Sequence, residues 1–153
     1  MFREMRRKER ALSREEAVEI LSRCDYGILS TMGDNGYPYG VPVDYTYHNN
    51  CIYFHCAVTG QKLDHIEKDC HVSFCVVSDV VVLPEQFSTK FMSVILFGQA
   101  QEVFDDEKKQ SLMLLLKKFS CDFMEAGEKY IDTAIQKTRV FKIEINHMTG
   151  KGK

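Results

Sequence analysis

The stretch GYPYGVPVDYTYHNNCIYFHCAVTGQKLD, residues 36–64, predicts a β-hairpin that leads into a short helix. Residues 39–47 and 51–57 are rich in Val, Ile, Tyr and Phe, the composition of strands. Asn49 and Asn50 lie between the two runs and can adopt the positive φ angles that a tight turn demands. We therefore expect two neighbouring antiparallel strands here.

Alternation along the first strand places Val41 and Val43 on one face and Pro42 and Asp44 on the other. Proline has no N–H to donate to a ladder, so Pro42 marks a strand edge or a bulge. A ligand could reach the backbone at such a position. An edge strand protected from aggregation is an equally plausible interpretation of the same residue.

The loop after the second strand has the sequence Thr-Gly-Gln-Lys and opens a predicted helix at residues 61–68. The N-terminus of a helix carries partial positive charge and favours anions. Lys62 lies in this first turn, where a cation is slightly unfavourable unless an anion such as a phosphate binds beside it. A solvated surface lysine is the alternative interpretation.

The rest of the chain predicts a small barrel with local helices. The further predicted elements are a helix at residues 14–23, strands at 26–32, 71–83, 90–104 and 138–146, and a helix at 105–118. Residues 121–136 are compatible with a loop or a short helix, and residues 147–153 have the composition of a polar tail. Several antiparallel strands at short spacing predict a closed or nearly closed β-barrel, and residues 1–153 are expected to form one domain.

Composition limits the classes of function. The net charge of −2 gives no electrostatic basis for nucleic-acid binding. No apolar run approaches the roughly 18 residues of a membrane-spanning helix, and the charged N-terminus lacks the apolar segment of a signal peptide. We therefore expect a cytoplasmic protein that binds neither nucleic acid nor membranes.

The six cysteines include no CxxC pair, and we expect them to be reduced thiols. His55 and Cys56 are sequence neighbours, as are Cys70 and His71, and neighbouring strand residues point to opposite faces. A zinc site needs about four converging ligands. The sequence therefore predicts no metal site and indicates that Cys56 and Cys75 are small apolar fillers.

Taken in order, the motifs resemble a known family. They are MRRKER at residues 5–10, PYGVPV at 38–43, IYFHCA at 52–57, GQK at 60–62, SVILFGQAQEV at 93–103 and TGK at 149–151. This set resembles the flavin-binding split barrels related to pyridoxamine 5'-phosphate oxidase, and within them the Nim (5-nitroimidazole resistance) proteins. The resemblance implies a mainly β (α+β) fold, a six-stranded antiparallel split β-barrel with peripheral helices, and a homodimer with FMN at the subunit interface.

The resemblance also implies a set of site residues. Lys62 stands where the family places a phosphate-contacting lysine, although Gln61 occupies a position that is often arginine in its oxidases. His55 stands near the cofactor in Nim-like proteins and is the candidate catalytic residue, a half-buried structural histidine being the alternative. The implied cofactor-binding residues are Val41, Pro42, Val43, Asp44, His55, Cys56, Gly60, Gln61, Lys62 and, from the partner subunit, Ser93.

The function implied by the resemblance is an FMN-dependent reductase that takes electrons from NAD(P)H to a small electrophile such as a nitroimidazole. Residues that would bind pyridoxine phosphate are not recognisable near the C-terminus, which argues against pyridoxamine phosphate oxidation. A non-catalytic flavin- or heme-binding module is the alternative, with His55 or His147 as a heme ligand. A cofactor-free structural dimer is a third possibility.

Overall fold

The structure, a computed structural model, describes residues 1–152. The described chain forms eight strands and four α-helices, joined in places by single turns of 3-10 helix. The strands are β1 Ala11–Leu12, β2 Tyr26–Met32, β3 Pro38–Asp44, β4 Thr46–His48, β5 Cys51–Cys56, β6 His71–Leu83, β7 Ser88–Val103 and β8 Arg139–Gly152. The helices are α1 Arg14–Arg23, α2 Gln61–Lys68, α3 Asp105–Phe119 and α4 Met124–Ala134.

All strands belong to one antiparallel sheet with the order β3-β2-β6-β7-β8-β5-β4, and β1 pairs with β8. The end strands β3 and β4 are consecutive in the chain but are not paired with each other within the described residues. The sheet is therefore a split barrel that is not closed, with eight strands where six were expected. The two additional strands arise because the predicted strand at residues 39–47 divides into two and because β1 joins β8.

Tyr45 divides the predicted strand because its side chain turns into the core. The side chain is fully buried, and its hydroxyl donates a hydrogen bond of 2.6 Å to the carbonyl of Leu21 in α1. Its ring packs edge-on against Phe74 with centroids 4.9 Å apart. The Lys118 ammonium of α3 donates to the Tyr45 carbonyl at 2.9 Å and lies over the ring. Tyr45 thus connects the segment between β3 and β4 to helices α1 and α3.

The predicted hairpin forms only in part. Residues 46–48 pair with residues 51–53, whereas β3 pairs along its whole length with β2. The strand containing Pro42 therefore lies at one end of the sheet, as the edge interpretation expected. Asn49 and Asn50 do adopt positive φ angles of 48° and 60°, which confirms the turn.

Two hydrophobic clusters hold the barrel and its helices together. The larger fills the barrel and includes the inward residues of α1 and α2, and the smaller lies beneath α3 and α4. Strand β5 contributes to both, with Ile52 and Phe54 in the larger cluster and Tyr53 in the smaller. Successive side chains of β5 point to opposite faces, which explains how one strand supports two layers.

The C-terminal segment differs from the sequence prediction. Residues 147–152 continue β8 rather than forming a polar tail, and Lys153 lies outside the described residues. They pair with residues 92–97 of β7, and Gly150 and Lys151 also pair with β1. The ambiguous segment 121–136 contains α4, with a 3-10 turn on either side. None of the helices within residues 1–152 has the length and apolar character needed to cross a membrane.

Candidate functional site

The site begins where β5 ends and α2 starts. Gly60 is the residue before the first turn of α2, with φ 153° and ψ 155°, a conformation that L side chains rarely adopt. An added Cβ at Gly60 would meet no heavy atom within 4 Å, so the backbone conformation, not crowding, requires glycine here. Gln61 is exposed and Lys62 is half-buried in the first turn. The N–H groups of that turn point away from the helix body, which suits an anion.

Helix α2 is held firmly against the barrel. Leu63, His65 and Ile66 are buried on its inner face. The Nδ1 atom of His65 lies 2.9 Å from the hydroxyl of Thr31 in β2, and its ring packs edge-on against Tyr39. The position of Lys62 is therefore fixed by a packed helix rather than by a free loop.

A second cation approaches the same region from β8. Arg139 is the cross-strand partner of Cys56, the last residue of β5. Its guanidinium donates two hydrogen bonds to Glu102, of 2.6 and 3.0 Å, and lies 3.4 Å from Glu67 of α2. The hydrogen bonds to Glu102 are the main reason that the pKa of Arg139 is raised above its ordinary value. Sequence reasoning missed this residue, whose only signal was its place at the start of the last strand.

The predicted residues of β3 divide between the two faces of the strand. Val41 and Val43 pack against the larger hydrophobic cluster, while Pro42 and Asp44 are exposed. The side chains of the two valines therefore pack in the core, and only their backbone groups could contact a ligand. Because β3 is an end strand, one of its edges is free of a neighbouring strand within the described sheet.

Cys56 also faces the core rather than a ligand. It is half-buried and packs against the larger cluster, as expected for a small apolar filler. Burial raises the pKa of its thiol, while the positive charges of Lys62 and Arg139 act in the opposite direction. Both cations therefore lie close enough to the Cys56 thiol to affect its pKa.

His55 is exposed, so the alternative of a half-buried strand histidine does not hold. It pairs across the sheet with Val140 and, with Asp44, lines a cavity of about 280 Å³. The rest of the cavity is mainly apolar and is formed by α3 and α4. The structure thus brings two of the predicted site residues to the entrance of one pocket.

Ser93 is remote from this region within the same chain. It lies on β7 opposite Lys151, whereas Cys56 lies opposite Arg139, and these two partners are twelve positions apart on β8. At about 3.3 Å per residue this is roughly 40 Å along the strand. Ser93 and the turn that carries Lys62 therefore lie beside opposite ends of β8 within one chain.

Ser93 lies on the outer face of the sheet but is itself buried. We define this face by the cross-strand rows Ile28–Cys75–Ile95–Thr149, Ser30–Ser73–Phe97–His147 and Val77–Ser93–Lys151. Cross-strand partners point to the same side. Ile28, Ile95 and Phe97 are exposed on this face, and Pro42 pairs with Ile28 at its margin. Phe2 covers part of it, stacking at 5.2 Å on Phe97.

A group of possible metal ligands occurs at the start of β6. The ligand atoms of Asp69, Cys70 and His71 lie within 4.8 Å of one another. The expectation that Cys70 and His71 point to opposite faces does not apply, because the strand begins only at His71. Asp69 already accepts a hydrogen bond from the His71 N–H and lies 2.7 Å from its Nδ1, and these contacts hold the pKa of Asp69 below its ordinary value.

An open antiparallel barrel flanked by helices defines the split-barrel class. The chain belongs to the pyridoxamine 5'-phosphate oxidase family, whose sequence profile matches residues 13–152. No curated protein matches the sequence at a significant level.

Solved structures support the same fold. A candidate 5-nitroimidazole antibiotic resistance protein from Bacteroides thetaiotaomicron has 21% identity and a TM-score of 0.80, covering 92% of this chain and 85% of its own. An FAD and heme binding protein from Mycobacterium smegmatis has 20% identity and a TM-score of 0.80, covering 92% and 71%. An FAD-binding protein from Mesorhizobium loti has 23% identity and a TM-score of 0.66, covering 94% and 97%. At these identities the likeness concerns the fold.

Proposed function

We propose that this protein binds FMN and acts as an NAD(P)H-dependent reductase of small electrophiles, a nitroimidazole being one example. The observation that carries the proposal is the position of Lys62. It lies in the first turn of a packed helix, after a glycine in a conformation reserved for glycine, and the same helix contacts the end strand β3 through His65 and Tyr39. The binding of FAD by two proteins of the same fold supports a flavin as the ligand.

The residues present fit a flavin mononucleotide. Lys62 and the N–H groups of the first turn of α2 would hold the phosphate, with Gly60 and Gln61 shaping the loop. Backbone groups of residues 41–44 would meet the polar edge of the ring, since contacts of this kind need no particular side chain. Arg139 is neutralised by its ion pairs with Glu102 and Glu67, so the phosphate would depend mainly on Lys62 and the helix N-terminus.

His55 is the residue that would move a proton. Its ring is exposed at the mouth of the cavity and is free of the core, so it can approach a bound ligand. Histidine is suited to proton transfer near neutral pH. Bound flavin would supply the hydride and electron transfer, and this chain would supply orientation, charge and a proton donor.

We infer further that the functional form is a homodimer. The supporting observations are the apolar outer face and the distance of Ser93 from Lys62 along β8. A partner that packs its outer face on this one would bring its own Ser93 towards the ring. Both copies would then complete each other's site, as a two-fold interface allows.

The absorbance spectrum tests the proposal. Purified protein is titrated with FMN and, separately, with FAD, and the bound flavin is then mixed with NADH or NADPH without oxygen. We expect FMN to bind more tightly than FAD and the flavin absorbance to bleach. Binding without bleaching would refute the reductase and leave a flavin-binding module, whereas absence of binding would refute both.

A heme-binding function is the second candidate, favoured by the FAD and heme binding protein of the same fold. His147 is half-buried on the outer face and stacks on Phe2 with centroids 4.7 Å apart. Either His147 or the exposed His55 could ligate heme iron. A Soret band that appears on addition of hemin and disappears in His147→Ala or His55→Ala would support this function.

A further inference from the structure

The group of possible metal ligands at the start of β6 lies apart from the proposed flavin site. Asp69 directly follows the last residue of α2, whereas Lys62 lies in the first turn of that helix. At about 1.5 Å per residue, the two positions are roughly 10 Å apart along the helix axis. Among residues 1–152, Asp69, Cys70 and His71 are the only set of three such side chains whose ligand atoms all lie within 4.8 Å of one another.

Hydrogen bonds hold the backbone of this short segment in place. The Asp69 N–H donates to the His65 carbonyl at 2.9 Å, which closes the last turn of α2. The Ala100 N–H of β7 donates to the Cys70 carbonyl at 2.8 Å. The His71 N–H donates to the Asp69 carboxylate at 3.0 Å, and His71 begins the pairing of β6 with β7. The three side chains therefore extend from a fixed backbone, and a metal ion would have to order the side chains alone.

The charge around the group suits a cation. The C-terminal end of a helix carries partial negative charge, and Asp69 adds a carboxylate at the C-terminal end of α2. The preceding residue, Lys68, forms an ion pair with Asp34, so its positive charge is offset. A divalent cation would therefore meet a net attraction at this end of the helix.

Small side-chain movements would bring the three ligand atoms to bonding distance from one ion. With zinc bonds of about 2.1 Å to nitrogen and oxygen and tetrahedral angles, two ligand atoms lie about 3.4 Å apart. The Asp69 carboxylate and Nδ1 of His71 are 2.7 Å apart and would have to separate slightly. The two side chains are 53% and 71% exposed, so they are free to rotate by that amount.

The donor atoms decide which metal fits. A thiolate and an imidazole favour ions such as Zn²⁺ and Co²⁺, whereas Mg²⁺ and Ca²⁺ prefer sites built from oxygen alone. Three protein ligands leave a fourth position for water. Asp69 and His71 also line a groove of about 330 Å³, to which Ser30, Ser73 and Asn146 contribute polar groups. Water in the fourth position would therefore be accessible from this groove.

We propose that Asp69, Cys70 and His71 form a zinc-binding site in which water is the fourth ligand. The sequence argument against a metal site assumed that Cys70 and His71 lie in one strand, but the strand begins only at His71. On binding, the Cys70 thiol gives its proton to solvent, and His71 binds through Nδ1 and carries its proton on Nε2. The site does not depend on a flavin, so failure of the proposed function would leave it unaffected.

Cobalt(II) is the probe, because cobalt bound to a thiolate has a strong charge-transfer absorption in the near ultraviolet. The reduced protein is titrated first with Co²⁺ and then with Zn²⁺. We expect the absorption to saturate at one Co²⁺ per chain and to disappear when Zn²⁺ is added, since thiolate ligands favour Zn²⁺. It should survive about a hundredfold excess of Mg²⁺. Absence of the absorption, or its loss on addition of Mg²⁺, would overturn the proposal.

Matched variants test the location of the metal. Cys70→Ser should abolish the charge-transfer absorption, and His71→Gln should bind Co²⁺ at least about tenfold more weakly. Cys75→Ser and His48→Gln are the controls, because Cys75 is another half-buried cysteine of β6 and His48 is another exposed strand histidine. Both controls should bind Co²⁺ within about twofold of the unmodified protein. An absorption that persists in Cys70→Ser would place the metal elsewhere.

Cys121 is the cysteine best placed to bind metal non-specifically, because it is exposed and its Sγ lies 3.9 Å from the Asp122 carboxylate. Cys121→Ser should leave the titration unchanged. Loss of the absorption in Cys121→Ser, with retention in Cys70→Ser, would mean non-specific binding and would refute the site.

Thermal unfolding keeps the test decisive if Cys70→Ser does not fold. Excess Zn²⁺ should raise the thermal midpoint of the unmodified protein, because an ion that binds the folded state stabilises it. The double variant Asp69→Asn/His71→Gln changes two exposed side chains and should show no such rise. An equal rise in both proteins would contradict the proposed ligands.

Discussion

At the scale of single residues, the two lysines of α2 have contrasting surroundings. Lys62 is half-buried in the first turn, whereas Lys68 lies at the far end, exposed and paired with Asp34. If Lys62 holds a phosphate, Lys62→Ala should weaken FMN binding by about 1–3 kcal/mol, the scale of a charge-assisted hydrogen bond. Quenching of FMN fluorescence measures the affinity, and Lys68→Ala is the control. Equal effects of both variants would mean that Lys62 contributes only general surface charge.

His55 allows catalysis and folding to be separated, because its exposed ring leaves the core intact when it is replaced. His55→Gln should lower the rate of substrate reduction by about 10²-fold, the lower end of proton-transfer catalysis, with little change in thermal midpoint. His48→Gln, an exposed strand histidine outside the expected site, is the control. A loss of stability without a specific kinetic defect would indicate that His55 has a structural role.

Cysteine reactivity follows from burial. Burial raises the pKa of the thiols of Cys51, Cys56 and Cys75, so at a given pH each has less thiolate than an exposed cysteine. Cys121 is exposed. Iodoacetamide near pH 7.5 should therefore alkylate Cys121 first, and the three half-buried thiols should react faster as the pH rises towards and beyond 9. Peptide mass spectrometry over time measures the order, and early modification of Cys56 would contradict it.

At the scale of elements, local signals predicted most of the fold. Helix α1 starts at residue 14 as predicted, and Ser13 and Glu16 form both hydrogen bonds of a capping box there. The break at Tyr45 was not predictable, because it depends on the Leu21 carbonyl and the Lys118 ammonium, which are distant in sequence. The length of β8 was underestimated for a similar reason. Its last residues have the polar composition of a tail, and they form a strand because β7 and β1 pair with them.

The bulge of β7 is an element-scale feature that the sequence did indicate. Its pairing with β8 shifts between Phe97 and Gly98, and a glycine inside a strand is by itself a sequence signal for a bulge. A Cβ at Gly98 would lie 2.2 Å from the Glu144 carbonyl oxygen, so Gly98→Ala should destabilise the fold by about 1–3 kcal/mol. Gly40→Ala, whose nearest contact is a side-chain atom 3.3 Å away, should cost less. Urea unfolding of both variants measures the difference in the free energy of unfolding. An equal loss of stability in the two variants would show that the bulge can accommodate the extra atom.

At the scale of the whole molecule, the candidate site is assembled from segments that no single motif contains. Lys62 was found because a turn signal marks it, whereas Arg139 reaches the same place only through the pairing of β5 with β8. The cavity combines Asp44 and His55 with residues of α3, a helix that the sequence predicted, and with residues 127–138, most of which lie in the segment that the sequence left open as a loop or short helix. The motifs thus located the turn that carries Lys62, whereas the strand pairing was needed to find Arg139 and the pocket.

The proposed dimer provides the test at this scale. Phe97 lies in the outer face, and Phe97→Glu would place a charge where an apolar partner surface is expected. Phe123→Glu makes the same change at an exposed phenylalanine in the turn before α4, away from that face. Light scattering should give about twice the 17.7 kDa chain mass for the unmodified protein and for Phe123→Glu, and one chain mass for Phe97→Glu.

Cofactor affinity then connects assembly to the site. If Ser93 reaches the flavin from the partner, the monomeric Phe97→Glu variant should bind FMN at least about tenfold more weakly while its circular dichroism stays unchanged. Phe123→Glu should bind FMN normally. A Phe97→Glu monomer with full FMN affinity would show that one chain holds the cofactor alone, and Ser93 would then lose its expected role. If the unmodified protein is already a monomer, the outer face is not an interface. The roles of Lys62, His55 and the cavity would then have to be explained within a single chain.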